Sequence, residues 1–481
     1  MEKRKEHTHR LFALENLGCA KNQVDAEVMI RYLKDSGWIY TEDFSKADII
    51  IINSCGFIEP AKQESIETTL ELSTEYPKAR ILLAGCLSQR YGEELHTGLQ
   101  EADGIFGNRD LSKVVDAAES VYRGESPLLL PHYGDYDRKR DNLLSFPGSV
   151  YLKISEGCDH RCSFCAIPLI RGGGRSIAKT HIVEEAKALI DRGVFEINLI
   201  AQDLASYGKD LGKADFIPLL RELGNLSGDY RIRLLYIHPD EFPSDLVSVV
   251  RDYPVIVPYF DIPFQHASEK VLRAMGRRGN AESYLSLIEK IREGLPDAVI
   301  RSTLLTGFYG EGESEFGELL EFQEQAQFDW AGMFAYSPEE DTPALAYEGK
   351  PGFERPSEGP RGEAAKRVKI LQERQYSISE SRMERFVGKT LRILVEEPVE
   401  GENLFLGRGY LHAPEVDGAA VIHLPEATAL SRGVDTNTSS ALEPGRAGFE
   451  PGRAAFEPGK VVSCRIVRRN NIDLEGVVVD G

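Results

Sequence analysis

The sequence contains no long apolar run. Its longest stretch of one apolar residue, the four isoleucines at 49–52, has the length of a strand, well short of the roughly 18 residues of a membrane span. The first ten residues, MEKRKEHTHR, are charged and lack the apolar centre of a signal peptide. We therefore expect a cytoplasmic location and no membrane association.

Basic residues are fewer than acidic ones. The chain of 481 residues carries 57 Lys and Arg against 77 Asp and Glu, a formal net charge of −20. A nucleic acid is bound through Lys and Arg that displace counterions from its phosphates, and a negative field repels it while attracting basic partners. The composition therefore disfavours a nucleic-acid partner and favours a basic protein.

Cysteine is rare, with seven residues in all, yet three of them lie within GCDHRCSFCAIP at 157–168. Clustered thiols in a reducing cytoplasm are more often metal ligands or catalysts than disulfides. The spacing C-x3-C-x2-C supplies Cys158, Cys162 and Cys165. Three thiolates on a 4Fe–4S cluster leave one iron open to the amino and carboxylate groups of an amino-acid-like cofactor. A zinc site completed by His160 and a disulfide with one spare thiol are the alternatives.

Three more cysteines follow apolar runs near the N-terminus. LFALENLGC ends at Cys19, ADIIIINSC at Cys55 and ARILLAGC at Cys86, and a helical pattern follows each. Alternating strands and amphipathic helices predict a parallel α/β sheet, in which the loops at the carboxyl ends of strands meet in one crevice. The fold would thus bring together three cysteines that are far apart in sequence; three buried core cysteines are the alternative.

The middle of the chain predicts six further βα units. Strand-like runs occur at 150–155, 196–203, 231–238, 255–264, 297–308 and 330–337, with helical stretches between most of them. This pattern indicates an incomplete barrel with its chemistry at the carboxyl-terminal rim, where the C-x3-C-x2-C loop falls. The last hundred residues read as short alternating strands.

The predicted organisation has three domains. They are an N-terminal α/β domain at 1–130, a partial (β/α)6 barrel at 150–380 reached through a linker at 131–149, and a small antiparallel β domain at 381–481. An EPG-rich insert at about 430–460 interrupts the last domain. EPG recurs at 443, 450 and 457, which is typical of a loop, because three short copies cannot build a core.

The motif C-x3-C-x-aromatic-C resembles that of radical S-adenosylmethionine (SAM) enzymes, with Phe164 as the aromatic residue, whose ring would lie beside the cofactor. LGCAKNQVDAE, NSCGFIEPAKQESI and AGCLSQRY are similar to the N-terminal domain of the methylthiotransferases in that superfamily, and the C-terminal β domain is similar to their OB-like TRAM module. The resemblance covers all three parts of the chain. Where GFYGE has Tyr309 and RSIAK has Ile177, the sequence departs from the family, which puts details of the substrate loops in doubt.

The resemblance implies two 4Fe–4S clusters and SAM as cofactors. Cys158, Cys162 and Cys165 would hold the cluster that binds SAM, and Cys19, Cys55 and Cys86 would hold the second, which carries the sulfur donor. An electron from a reductant such as flavodoxin or ferredoxin would cleave SAM to a 5′-deoxyadenosyl radical, which abstracts hydrogen from the substrate. No acid–base pair is needed, since the cofactor supplies the difficult chemistry.

Two branches of the family modify different substrates. GCAKNQVDAE, GCDHRCSFCAIP, INLIAQDLASYG and GRGYLHAPEVDG are similar to the branch that modifies the β-carbon of an aspartate in small-subunit ribosomal protein twelve. Residues 391–481 carry nine Lys and Arg against fourteen Asp and Glu, which suits a basic ribosomal protein better than RNA. Methylthiolation of a tRNA adenosine derivative and a non-catalytic iron–sulfur protein remain the alternatives.

Three polar residues are further candidates. The resemblance places Gln202 and Asp203 beside SAM. Glu311 lies at the end of a later predicted strand, from which it would contact the cofactor. A strand-end turn is the alternative for each. Cys464, alone in KVVSCRIV, is expected to lie in the core.

Overall fold

The N-terminal part of the chain forms a six-stranded parallel sheet with the order β2-β1-β3-β4-β5-β6. A computed structural model describes residues 10–134, 138–357, 359, 362–400, 402–423 and 456–479, so most of the EPG-rich insert lies outside the described residues. The strands of this sheet are β1 (Arg10–Asn16), β2 (Trp38–Tyr40), β3 (Ile49–Ser54), β4 (Arg80–Gly85), β5 (Gly104–Gly107) and β6 (Leu128–Leu129).

Helices cover both faces of this sheet. They are α1 (Ala20–Asp35), α2 (Glu59–Glu75), α3 (Cys86–Gly98) and α4 (Val114–Arg123). Strand β3 is buried along its whole length, and its isoleucines alternate between the two cores, Ile49 and Ile51 in one and Ile50 and Ile52 in the other. A continuous apolar run is typical of a strand covered on both faces, so the predicted parallel α/β domain is confirmed.

The central part forms an open, six-stranded parallel sheet in the order β14-β13-β12-β11-β10-β7. Its strands are β7 (Ser149–Lys153), β10 (Glu196–Ile200), β11 (Arg231–Leu234), β12 (Ile256–Asp261), β13 (Val299–Thr306) and β14 (Trp330–Ala335), and the short β8 (Ser155–Glu156) and β9 (Arg175–Ser176) form a separate pair. Its helices are α5 (Ile167–Arg171), α6 (Lys179–Asp191), α7 (Phe216–Gly224), α8 (Leu246–Asp252), α9 (Glu269–Ala274), α10 (Ala281–Gly294), α11 (Glu313–Ala326) and α12 (Glu363–Met383). This is the predicted partial barrel.

Several barrel strands end earlier than their apolar runs suggested. Strand β10 ends at Ile200 instead of residue 203, β11 at Leu234 instead of 238, and β13 at Thr306 instead of 308. Tyr236 and Gln265 each have a φ of 69°, a left-handed conformation that does not continue a strand. The ends of the predicted strands are therefore loops on the carboxyl-terminal rim.

The C-terminal part is a closed five-stranded barrel rather than a purely antiparallel sheet. Its strands are β15 (Thr390–Pro398), β16 (Leu404–Arg408), β17 (Ala420–His423), β18 (Val461–Asn470) and β19 (Asp473–Val478), in the order β15-β16-β17-β19-β18. Strands β17 and β19 pair in parallel. An odd number of strands cannot alternate in direction all the way round a closed barrel, so one pair must be parallel.

This small barrel packs against one face of the central sheet. Tyr259 and Val299 of that face share a core with Ile393 and Ile422 of the small barrel, whereas the neighbouring residue Ile300 lies in the core with the helices. At the amino ends of the strands, the buried Glu196 binds arginines of both domains. The contact is therefore both apolar and ionic.

The segment predicted as a linker is anchored to the domains that it connects. Arg140 is buried and forms ion pairs with Glu27 of α1 and, at 2.8 Å, with Glu185 of α6. The predicted boundary at residue 380 falls inside α12. No helix in the described part of the chain combines the length and the apolar character that a bilayer crossing requires.

Candidate functional site

Cys19, Cys55 and Cys86 lie on neighbouring loops at the carboxyl ends of β1, β3 and β4. Cys19 is the N-cap of α1 and Cys86 is the first residue of α3. Two glycines allow the loops to approach each other. A β-carbon on Gly18, which has a φ of +111°, would lie 3.2 Å from the β-carbon of Cys55, and one on Gly56 would lie 2.9 Å from the carbonyl carbon of Cys86. The fold thus brings together the three cysteines that the sequence grouped.

Exposure differs across this group of three. Cys19 is exposed, Cys55 is half-buried and Cys86 is buried. Two side chains donate hydrogen bonds to the Cys86 sulfur, Asn108 at 3.3 Å and Arg171 at 3.2 Å. Hydrogen bonds to a ligand sulfur influence the redox properties of a cluster.

Cys158, Cys162 and Cys165 lie in the loop between β8 and α5. The Cys165 amide donates to the Cys162 carbonyl at 3.1 Å and the Cys158 amide to the Gly172 carbonyl at 3.0 Å. Phe164 is half-buried and packs edge-on against Phe308 of the rim, with ring centroids 6.4 Å apart. The loop is therefore held in place by its own backbone and by the barrel.

Burial keeps most of these thiols protonated in the metal-free protein. Burial, with a smaller contribution from neighbouring cysteines, raises the pKa of Cys55, Cys158 and Cys165 to about 12. The pKa of the Cys86 thiol is also raised by burial, although Arg171 opposes this. Binding of a metal or a cluster as thiolates would release these protons.

The donor set suits iron–sulfur clusters. Thiolates are the ligands that such clusters select. Among the described residues, no three His, Cys, Asp or Glu side chains are grouped so as to hold a single metal ion. In a 4Fe–4S cluster each thiolate binds a different iron, so its ligands stand further apart than those of one ion. The two sets of three free cysteines fit such clusters in number, chemistry and convergence.

Asp203 connects the cysteine loop to the rim. Its carboxylate accepts hydrogen bonds from His160 (2.8 Å), Ser206 (2.5 Å) and the backbone amide of His238 (3.0 Å). Burial opposes ionisation, but these bonds lower the pKa of Asp203 below its usual value. His160 stacks on His238 at 4.1 Å between centroids, and the His238 Nε2 lies 3.9 Å from the Cys162 sulfur. Asp203 thus orients two histidines beside the loop.

Gln202 and Glu311 both have partners within the protein. Gln202 donates to Glu156 at 3.0 Å. Glu311 is buried and accepts from Thr306 (2.5 Å), from the Gly307 amide (2.7 Å) and from the Arg367 guanidinium (2.8 Å). Glu311 therefore joins the rim turn to α12. That Phe164, Gln202, Asp203 and Glu311 contact a cofactor stays a prediction.

A buried ionic cluster lies between the two groups of cysteines. Asp25 of α1 pairs with Lys153 of β7 and, at 2.8 Å, with Arg171 of α5; Glu156 binds the same two cations at 2.5 and 2.8 Å. We call these four residues the interdomain cluster. Because Arg171 also donates to Cys86, the cluster connects the two cysteine sites.

Sequence reasoning did not find this cluster. Charged residues are usually exposed, and Asp25 lies in a helix whose pattern gave no sign that its polar positions are buried. Arg171 lies six residues after Cys165, and that proximity to the motif was the only available indication.

Family models match all three parts of the chain. They are the Uncharacterized protein family UPF0004 at residues 11–107, the Radical SAM superfamily at 152–322 and the TRAM domain at 387–479. The first match contains Cys19, Cys55 and Cys86, and the second contains the C-x3-C-x2-C loop.

Curated relatives match nearly the whole chain. The ribosomal protein uS12 methylthiotransferase RimO of Treponema denticola is 41% identical over 491 residues, covering 96% of this chain and 99% of the relative. The protein of the same name from Natranaerobius thermophilus is 41% identical over 420 residues, covering 85% and 91%.

A solved structure shares the fold. The radical S-adenosylmethionine methyltransferase TsrM from Kitasatospora setae, with cobalamin and a [4Fe-4S] cluster bound, has a TM-score of 0.52 at 16% identity, over 69% of this chain and 77% of its own.

Proposed function

The chain belongs to the RimO family of ribosomal protein uS12 methylthiotransferases, and on that premise we propose that it adds a methylthio group to the β-carbon of a uS12 aspartate. It is a radical SAM enzyme, and its cofactors are 4Fe–4S clusters and SAM. The observation that supports this function best is the pair of three-cysteine sites on the facing ends of two parallel sheets, joined by the interdomain cluster.

The six cysteines form two sites with different chemical roles. Cys158, Cys162 and Cys165 would hold the cluster that binds SAM, and Cys19, Cys55 and Cys86 would hold the cluster that carries the sulfur donor. When bound, these groups supply radical generation and sulfur transfer. In each site three cysteines would leave one iron of a 4Fe–4S cluster without a protein thiolate.

The chain's own residues position these groups and keep water away. Asp203 fixes His160 and His238 beside the barrel cysteines. Arg171 donates to Cys86 from the barrel side, so that the N-terminal site is complete only when the two domains are in contact. Phe164 and Phe308 place an apolar wall beside the cysteine loop.

The partners follow from the reaction and the charge. The substrate uS12 is a ribosomal protein, and a net charge of −20 suits a basic partner. A reductant such as flavodoxin or ferredoxin would supply electrons. We infer that the enzyme meets uS12 in the cytoplasm.

Mass spectrometry after an anaerobic reaction tests the function. The reconstituted, reduced enzyme receives SAM and a sulfide source, with uS12 in one tube and unmodified tRNA in another. We expect a methylthio gain on one aspartate of uS12 and none on the tRNA. A gain on the tRNA alone would overturn the substrate while keeping the chemistry, and clusters without SAM cleavage would indicate a non-catalytic iron–sulfur protein.

A further inference from the structure

Among the described residues, the buried cation Lys21 has no anionic partner in direct contact. It lies in the first turn of α1 and is 9% exposed. Within the described residues its ammonium forms no hydrogen bond or ion pair, and its contact is the ring of Tyr236, whose centroid lies 3.2 Å from Nζ. A cation–π contact offsets only part of the cost of removing an ammonium from water. An anion that arrived from outside would therefore be bound favourably at this position.

The two carboxylates that act electrostatically on Lys21 already have other partners. Asp261 and Glu156 both influence Lys21 electrostatically. However, Asp261 accepts one hydrogen bond from the Tyr236 amide and one from Arg301, each of 3.1 Å. Both oxygens of Glu156 accept from other buried side chains. The described part of the chain thus surrounds Lys21 with negative potential but provides no direct counterion for it.

Lys21 lies between the N-terminal cysteine site and the barrel rim. Lys21 follows Cys19 by two residues, so it belongs to the N-terminal cysteine site. Its aromatic neighbour Tyr236 lies on the barrel rim, in the loop after β11. The ammonium therefore stands at the junction of the two sites, where a substrate must lie to receive chemistry from both.

We propose that Lys21 binds the side-chain carboxylate of the substrate aspartate and so places its β-carbon between the two cysteine sites. This inference rests on the proposed function and adds a specificity-determining residue to it. The carboxylate is attached directly to the β-carbon that reacts, so holding one fixes the other. An unmodified nucleobase offers no carboxylate, so the same contact favours a protein over a tRNA base that lacks a carboxylate substituent.

The test measures binding of uS12 apart from turnover. Full-length holoenzyme is titrated, without SAM, against labelled uS12 that carries either the modified aspartate or asparagine at that position. Wild type, Lys21→Met and Lys21→Arg are compared by fluorescence anisotropy. Losing one partner of a desolvated charge pair mainly raises the dissociation rate, so we expect wild type to bind the aspartate form at least about tenfold more tightly.

The variants separate a contact from a general effect. Lys21→Met should bind both forms of uS12 with the same affinity, equal to the affinity of wild type for the asparagine form. Lys21→Arg should restore part of the preference for the aspartate form. Lys62→Met is the matched control, because Lys62 is a largely buried lysine of the same domain that lies near the ring of Tyr91 but is paired with Glu59 and Glu339. It should keep the full preference for aspartate.

Three results would overturn the proposal. The first is that Lys21→Met retains the preference for the aspartate form of uS12. The second is that wild type shows no preference for the aspartate form, a result that does not depend on whether a variant folds. Alternatively, Lys21→Met could raise the SAM concentration needed for half-maximal cleavage while uS12 binding is intact, which would make SAM the source of the carboxylate. If wild type does not modify uS12 at all, the proposed function fails and this inference fails with it; modification of uS12 without the preference refutes Lys21 alone.

Discussion

Cys55 and Cys158 separate the two halves of the proposed chemistry. Cys158→Ala should lower bound iron by about half, since one of two clusters is lost, and abolish SAM cleavage. Cys55→Ala should lower bound iron similarly but retain SAM cleavage, while no methylthio group reaches uS12. Iron analysis and detection of 5′-deoxyadenosine measure both effects.

Cys464→Ala is the control for these two variants, because Cys464 is buried in the small barrel. It should keep full iron content and both activities. Methylthio transfer by Cys55→Ala would show that the N-terminal cysteines do not hold the second cluster.

Arg171 is expected to adjust the reduction potential of the N-terminal site. A cationic donor to a ligand sulfur favours the reduced, more negative cluster. In a background in which the three barrel cysteines are alanine, Arg171→Met should shift the ratio of reduced to oxidised cluster at least tenfold towards oxidised, which corresponds to a potential about 59 mV lower. A redox titration followed by electron paramagnetic resonance measures this shift.

Arg140→Met is the matched control for Arg171→Met. Arg140 is also a buried arginine that joins the two domains, but it donates to Glu27, Glu185 and the Tyr151 carbonyl. Its replacement should leave the potential unchanged. Equal shifts in both variants would mean that domain contact, not the hydrogen bond to Cys86, sets the potential.

Some residues of the site can be predicted from the sequence and others cannot. The grouping of the six cysteines into two sets of three could be predicted, because C-x3-C-x2-C is a local pattern and the other three each end an apolar run; their role as cluster ligands stays a prediction. Lys21, Arg171 and His238 could not, because a buried charge or a stacked ring depends on which loops meet in space. Spacing along the chain carries no information about such contacts.

Among the elements, strands were easier to predict than their ends. An apolar run marks β10 or β13 well, but it continues into the rim loop, where residues such as Phe308 are buried for a different reason. The parallel pair β17 and β19 could not be predicted, since it follows from closure of the barrel. The attachment of the linker to both domains through Arg140 could not be predicted either.

Glu196 should hold the small barrel on the central sheet. It binds Arg231 and Arg233 of β11 at 2.7 and 3.2 Å, and Arg408 of β16 at 3.0 Å. Glu196→Gln would leave three buried arginines without their shared carboxylate, which should lower the free energy of unfolding by about 3–5 kcal/mol. Chemical denaturation of the full-length protein measures this loss.

The control is an exposed ion pair between the same two domains, Asp229 and Arg392, 2.6 Å apart. Asp229→Asn should cost at most about 1 kcal/mol, because solvent screens such pairs. If both variants lost the same small amount, Glu196 would not be a main contact between the domains.

The same residue makes the domain contact sensitive to acid. Burial disfavours the Glu196 carboxylate, but Arg231, Arg408 and Arg233 outweigh it and hold its pKa well below the usual 4.5. A lowered pKa gives stabilisation that is complete above about pH 4.5 and is lost as the pH falls towards the lowered value. Stability measured against pH should therefore fall less steeply below pH 4.5 in Glu196→Gln than in wild type.

At the scale of the whole molecule, the net charge of −20 should accelerate the encounter with uS12. Attraction between opposite charges raises association rates and is screened by salt. Between about 0.05 M and 0.5 M salt we expect the association rate to fall at least about tenfold and the dissociation rate to change much less. Stopped-flow measurements distinguish the two rates, and a salt-independent association rate would refute electrostatic attraction.

The unequal exposure of the three N-terminal cysteines gives that site an exposed side and a buried side. Cys19 faces the solvent, whereas Cys86 is buried against the barrel. Oxygen and peroxide would reach the exposed side first. Oxidation of a cluster at this site should therefore begin near Cys19, while the side near Cys86 is still protected from solvent. Iron and sulfide would enter through the same side. The exposed side from which a cluster would be assembled is thus also the side from which it would be oxidised most easily.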